Sequence, residues 1–265
     1  MTAVRRILIP AAVLVVAFPY AWLLLGSFKG PADLNDPSKI TFTPTLANWR
    51  EVAEAGIFGS ALTSTLVGLS TVVLALVAGT MAAYAISRWQ AGGPLTRFGI
   101  LLSELMPPAV LVVPLFLLAF RLELRDTVWA IIASHLTFVL PVVTWFMIGF
   151  FDAVPRELEE QAMVDGYGRF RAFRKVVLPQ VLPGLGAAAI FAFVLSWNDL
   201  FYALVLAGGN AKTLPVAIAG FNTFRGVELG AMSAAILVSV VPVLAASFFV
   251  QRRLIQGISG GGLKG

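Results

Sequence analysis

The sequence predicts an all-α polytopic membrane protein with six transmembrane helices, and three observations carry that prediction. Hydrophobic residues make up 58% of the 265 positions and charged residues only 12%, about half the charged share of an ordinary soluble domain. Mean hydropathy is +0.88. The apolar residues gather into runs near or above the roughly 20 residues a helix needs to cross a hydrocarbon core of about 30 Å. These runs are continuous rather than alternating, which selects helices over a barrel, because a helix satisfies its own backbone hydrogen bonds in lipid.

The first span covers about 7–28. Arg5 and Arg6 precede it as they would a signal peptide, but the run exceeds a signal core and no small-residue cleavage site closes it. Ile7-Leu8 and Pro10 follow the arginine pair without further twin-arginine context. From Lys29 to Phe58 the chain holds Pro31, Asp33, Asn35, Asp36, Pro37 and Pro44, a turn-rich composition that leaves the lipid. Spans two and three cover about 59–87 and 98–120, joined by a tight turn at Gln90-Ala91-Gly92-Gly93-Pro94. Arg121 to Asp126 is a second short turn before span four, about 127–150. Span five is about 177–198 and span six about 229–250. Between them, Phe201 to Leu206 reads as a re-entrant piece, tolerated where protein covers it. No internal repeat or low-complexity tract interrupts the chain, which reads as one membrane domain over 1–265.

Basic residues in short loops set the orientation. With the amino terminus inside, the inner side holds Arg5, Arg6, Arg88, Arg97, Arg156, Arg169, Arg171, Arg174, Lys175, Arg252, Arg253 and Lys264, most of the 19 in the chain. Lys29, Lys39, Arg50, Arg121, Arg125, Lys212 and Arg225 fall outside. Both termini are then expected in the cytoplasm of a cell with an inner membrane. The net charge of +5 follows from this asymmetry, so no nucleic-acid partner is inferred. The absence of cysteine removes disulfide and thiol chemistry.

One stretch breaks the apolar pattern: ELEEQAMVDGYGRFRAFRKVVLPQVLPG, Glu157 to Gly184. Pro155 suits a first helical turn, and Glu157, Glu159 and Glu160 follow where the helix dipole favours carboxylates. A short helix over about 155–164 is expected, stopped at Asp165-Gly166 because glycine accepts the left-handed conformation. Beyond it Phe170, Phe173 and Val177 recur at helical spacing with Arg169, Arg171, Arg174 and Lys175 on the other faces. Leu178-Pro179 and Leu182-Pro183 are expected to close this second, amphipathic helix. Two readings stand on physical grounds. A basic amphipathic helix lies on anionic lipid, whereas the acidic first helix, which anionic headgroups repel, favours docking to a cytoplasmic protein.

Glu160-Gln161-Ala162, Asp165-Gly166 and Val176-Val177-Leu178-Pro179 resemble the EAA loop of ABC importer permeases, E-A-A, three residues, G, nine residues, I-x-L-P. The spacing matches throughout, with Gln161 in place of the first alanine and Val176 in place of isoleucine. Ala82-Ala83-Tyr84-Ala85 with Arg88, Met106-Pro107-Pro108 with Pro114, Trp197-Asn198-Asp199, Thr213-Leu214-Pro215-Val216 and the tail from Gln251-Arg252-Arg253 through Gly257 to Leu263-Lys264-Gly265 resemble one branch, the carbohydrate importers related to the smaller permease of the maltose transporter. The resemblance covers the whole chain. It implies the type I importer permease fold, a second permease subunit, two cytoplasmic ATPase subunits that hold ATP and Mg, an extracytoplasmic solute-binding protein, a sugar substrate, and no cofactor bound by this chain. It also implies that the hairpin at about 155–178 couples ATPase closure to alternating access. Glu160, Gln161, Ala162, Asp165, Gly166, Phe170, Leu178 and Pro179 are the coupling residues so implied, with Glu160 making polar contact and Gly166 setting the turn. Phe170 and Phe173 would seat against the permease body or the ATPase.

Glu104 lies within span three, where a carboxylate is costly. It either lines the translocation path, is satisfied by backbone groups freed at Pro107-Pro108, or couples to protons. Trp197, Asn198 and Asp199 end span five at an interface, and the family resemblance implies that this region approaches the translocation path. His135 has no second histidine near it in sequence, so an interhelical hydrogen bond is expected rather than a metal. The Gly226 to Gly230 spacing matches GxxxG within a glycine-containing loop.

No G-x-x-x-x-G-K-[ST], H-E-x-x-H or G-x-S-x-G motif occurs, so no catalytic site is read here and energy must come from another subunit. The rival reading, an autonomous secondary transporter of a small polar solute, calls for internal repeats and paired intramembrane charges. An intramembrane enzyme calls for two convergent groups, for which Glu104 and His135 are the candidates.

Overall fold

The computed structural model describes the backbone of residues 2–34, 36, 39, 41–224 and 226–261, and within it the side chains of 6 and 8–248. Asn35, Pro37, Arg225 and the tail Leu263-Lys264-Gly265 lie outside the described residues, and the side chains of Arg5, Gln251, Arg252 and Arg253 are not described.

Helices dominate: α1 Thr2–Ser27, α2 Pro31–Leu34, α3 Ala47–Glu54, α4 Ile57–Trp89, α5 Gly93–Glu104, α6 Pro108–Arg121, α7 Val128–Ala153, α8 Arg156–Val164, α9 Arg169–Ala172, a π turn Phe173–Val177, α10 Leu178–Trp197, α11 Phe201–Leu206, α12 Leu214–Ala219 and α13 Leu229–Gly261. Among the described residues five helices are long and apolar enough to span a membrane, six with the bent α5–α6 pair counted as one span. The expected spans are all present, and the chain is a multi-pass membrane protein. The third, read from the sequence as a single span over about 98–120, is broken: α5 and α6 meet at 89°. Pro107 and Pro108 both lack an N–H, and Pro107 sits extended at φ −60, ψ 133, so the α5 ladder ends at Glu104. At 1.5 Å per residue the two pieces are only about 18 and 21 Å long, each short of a full crossing.

The chain divides into two compact units, one of Met1–Thr63 with Thr213–Val243, the other of Ser64–Lys212 with Leu244–Gly265. In the first, the stretch expected as loop folds into α2 and α3. Buried Asn48 donates from its amide to the carbonyls of Ser27 and Lys29 at 3.0 and 2.8 Å, pinning α3 against the end of α1. Gly230 is needed beside it, because a Cβ there would collide with the Asn48 amide. A two-residue antiparallel ribbon pairs Asn222 with Val227 and Thr223 with Gly226, placing Gly226 in strand geometry. Glu51 and Glu228 line a cavity of about 210 Å³ here. Burial, then the adjacent Glu228 side chain, raise the Glu51 carboxyl above its ordinary value.

The second unit is built on α7, α10 and the part of α4 that belongs to it. Small residues let these helices approach. A Cβ at Gly79 would lie 3.0 Å from Val143, one at Gly68 would lie 3.1 Å from Phe193, and one at Gly184 would lie 2.5 Å from the Phe150 ring. The residues around the contacts, including Ala75, Val143, Met147, Phe151, Val181, Ala188 and Ala192, are buried. At one end of this unit Asp126, at φ +57, accepts from the backbone N–H groups of Gly208 at 2.6 Å, Ala211 at 3.0 Å and Asn210 at 3.1 Å, and from the Asn210 amide at 2.9 Å. Partial burial works to raise this carboxyl, and the four donors outweigh it and hold it below the ordinary carboxylate value.

Candidate functional site

The polar stretch that interrupts the apolar pattern forms a hairpin between α7 and α10. Pro155, extended at φ −54, ψ 135, is the residue before α8 rather than in it, and Glu157 and Glu159 occupy the first turn. The helix ends in a Schellman motif: Tyr167 N–H reaches the Ala162 carbonyl at 3.0 Å and Gly166 N–H reaches Met163 at 3.1 Å. Gly166 has φ +90 with open space around it, so glycine is required there by backbone conformation alone. The second arm departs from expectation. Pro179 and Pro183 do not close it, and α9 runs through the π turn into α10 without a stop. Pro179 occupies the first turn of α10, and the π turn before it changes the hydrogen-bond register where that proline offers no N–H.

Two neighbouring glutamates divide the labour of α8. Glu160 is exposed, together with Gln161, Asp165 and Gly166, and forms the outward face. Glu159 is turned inward and only 7% exposed. Tyr84 donates its hydroxyl to Glu159 Oε1, and Arg88 Nε donates to Oε2 at 3.0 Å. Arg88 Nη2 also donates to the Val154 carbonyl at 3.1 Å. Sequence reasoning missed this pairing by treating the three glutamates alike. The available signal was phase: Glu159 and Ala162 are spaced by three on one face of α8, both buried, while Tyr84 and Arg88 are spaced by four on one face of α4.

Ala162 therefore packs inward. Phe170 is 74% exposed, whereas the Phe173 ring lies 4.5 Å from that of Tyr84 and 6.3 Å from Phe151, which separates the two phenylalanines: Phe173 seats against α4 and α7 of its own chain and Phe170 faces out. Leu178 is half-buried and Pro179 exposed at the start of α10. Beside the hairpin, Asp152 accepts from Ser87 Oγ at 2.6 Å and from both Arg97 terminal nitrogens at 2.9 and 3.2 Å, joining α4, α5 and α7.

Glu104 is exposed as the last residue of α5, at the bend itself. Trp197 is 2% exposed, its ring stacked 5.5 Å from Phe193, so it packs inside the protein at the end of α10. Asn198 is exposed and donates to the Val194 carbonyl at 2.9 Å. Asp199 is half-buried and 3.1 Å from His135 Nε2, while His135 Nδ1 lies 2.7 Å from Ser196 Oγ. With Nε2–H given to the carboxylate, Nδ1 is left to accept the serine hydroxyl. The expected interhelical bond of His135 is present, joining α7 to α10. Among the described residues no metal-holding group of histidine and carboxylates occurs.

Comparison with known proteins places this architecture. A family model for the inner membrane components of binding-protein-dependent transport systems matches residues 75–260, a region that contains the whole hairpin. The chain belongs to this family. The permease is 37% identical over 252 residues to the trehalose transport system permease protein SugB of Mycobacterium tuberculosis, covering 93% of this chain and 92% of that one. It is 30% identical over 255 residues to the diacetylchitobiose uptake system permease protein DasC of Streptomyces coelicolor, covering 94% and 92%. Among solved structures it matches a chain of a bacterial ABC transporter involved in the import of the acidic polysaccharide alginate, with a TM-score of 0.74 over 95% of both chains at 20% identity. The fold is that of ABC importer permeases, and the permease is one component of a multi-component transport system. The secondary-transporter reading gives way to this membership.

Proposed function

We propose that the permease carries a sugar across the cytoplasmic membrane as one of two permease subunits, driven by two cytoplasmic ATPase subunits and supplied by an extracytoplasmic solute-binding protein. The cargo is a disaccharide, an oligosaccharide or a sugar alcohol. ATP and Mg are held by the ATPase subunits, and this chain binds no cofactor and performs no catalysis. Both termini and the hairpin face the cytoplasm, as the distribution of basic residues favours. The observation that carries this reading is the family match across an exposed hairpin whose outward face presents Glu160, Gln161 and Asp165. The names of SugB and DasC support a glycoside cargo. Coupling follows from the hairpin: its outward face seats in a cleft of an ATPase subunit, so closure of the ATPases on nucleotide moves the membrane helices and alternates access. Trp197 is too deeply packed to meet a passing solute in this conformation, which leaves Glu104, Asn198 and Asp199 as this chain's candidates for the path.

The test is ATP-dependent uptake by the complete complex in proteoliposomes, with trehalose, diacetylchitobiose and maltose presented by the binding protein, for the unmodified chain, Glu160→Ala and Gly166→Pro. Uptake of at least one sugar, lost in both variants while the two permeases still assemble, is the expected result. Undiminished uptake in both variants would leave the hairpin as a lipid-surface helix.

A further inference from the structure

The buried pair of Arg88 and Glu159 is an unusual way to hold two helices together. Their side chains are only 5% and 9% exposed, and withdrawing both charges from water costs free energy that an apolar contact of the same shape would not. The ionic arrangement adds direction. Glu159 has each carboxylate oxygen engaged by a different residue of α4, and Arg88 spans from that carboxylate to the Val154 carbonyl just before α8 begins. The Tyr84 ring is held edge-on by Phe151 at 5.5 Å and Trp89 at 5.2 Å, and lies 4.5 Å from Phe173 on the returning arm. Both arms of the hairpin therefore converge on one turn of α4. Apolar faces slide past one another, whereas a carboxylate bonded by two donors from one helix face permits a single register.

We infer that Tyr84, Arg88 and Glu159 form a positioning lock that makes α8 and the adjoining end of α4 move as one body. The inference rests on the docking role proposed for the hairpin and adds how its motion enters the membrane. Glu160 meets the partner, and its neighbour Glu159 passes the displacement to α4. These are positioning residues: none is assigned contact with sugar or nucleotide.

The absence of cysteine makes spin labelling specific within this chain, which is labelled before assembly with the other subunits. Labels at exposed Val164 on α8 and exposed Met81 on α4, in the complete complex, report whether the two helices move together. In the chain that carries only the two labels, the distance between them is the same in the nucleotide-free and ATP-trapped states. In the Arg88→Gln, Glu159→Gln double variant, which leaves no uncompensated buried charge, the distance distribution broadens and shifts between states. The complex still assembles, and uptake per ATP hydrolysed falls roughly two- to thirtyfold, the range seen when one link of a coupled network is altered. Tyr84→Phe, which keeps the ring, gives a smaller loss in the same ratio and guards against misfolding of the double variant. A merely structural pair would lower assembly yield and leave uptake per ATP unchanged. That result, or a distance that changes with nucleotide while the lock is intact, overturns the inference. If the unmodified chain retains no ATPase subunit, the docking reading itself fails and the lock falls with it, a result separable from the others because it precedes any substitution.

Discussion

Gly166→Ala isolates the backbone requirement at the tip of the hairpin. The residue has φ +90, and a Cβ built there meets nothing within 4 Å. The entire penalty is therefore conformational, about 1–2 kcal/mol for an L residue in left-handed geometry. That energy falls on the two bonds closing α8, from Gly166 N–H to Met163 and Tyr167 N–H to Ala162. A penalty of this size multiplies the local opening equilibrium by about five- to thirtyfold. Hydrogen exchange at the Tyr167 amide should accelerate by that factor in purified permease, while global melting is unchanged because the hairpin tip is exposed. Gly168→Ala is the control two residues away. Gly168 has φ −66, ψ 157 and open space around it, so alanine is accepted there and tightens the segment by about 0.4–1 kcal/mol through the unfolded state. Gly166→Asn should fall between, since asparagine tolerates the left-handed region. Equal exchange in Gly166→Ala and the unmodified chain, or an equal loss in both alanine variants, would refute the reasoning.

Other substitutions probe other parts of the molecule. Gly184→Ala drives a methyl to within 2.5 Å of the Phe150 ring and should cost about 1–3 kcal/mol by overpacking, while Gly186→Ala, with nothing in its way, should melt in detergent like the unmodified permease. Phe173→Ala should destabilise by about 3 kcal/mol; Phe170→Ala, 74% exposed, should leave melting unchanged and weaken retention of ATPase subunits on a column. Asp126 is held below its ordinary value, so its stabilisation is complete above the unfolded value near pH 4 and fades as pH falls through the lower folded value. Asp126→Asn should accordingly speed exchange at Gly208, Asn210 and Ala211 at pH 7, with the difference shrinking in acid. Glu51 is shifted the opposite way: its protonated form is favoured, and stability is lost as pH rises through the raised value. Glu228→Gln should raise the melting temperature at pH 7, an advantage that disappears below about pH 4.

Element existence was legible because a membrane span announces itself as a long uncharged run. The hairpin boundaries were legible for local reasons too, through proline, carboxylates and glycine at the ends of α8. The break between α5 and α6 was not read from the sequence although Pro107 and Pro108 stand at it, and its 89° angle is a matter of tertiary packing. The continuous path from α9 into α10 was misread because a proline pair argues for a helix stop, and only the π turn reconciles the two. Glu159 was hidden for a different reason. Its neighbours Glu157 and Glu160 satisfy the same dipole argument, and what distinguishes it is a partner 71 residues earlier in the chain. The burial of Trp197 against Phe193 was hidden too, because stacking between side chains is a packing outcome.

The most direct test of the docking role is photo-crosslinking from the hairpin in the complete complex. A photoreactive residue at Glu160 is predicted to form a covalent adduct with an ATPase subunit, and one at Phe224, 97% exposed near the two-stranded ribbon, is predicted to form none. Adducts from position 160 with lipid alone, while the ATPase subunits remain bound to the complex, would contradict the account.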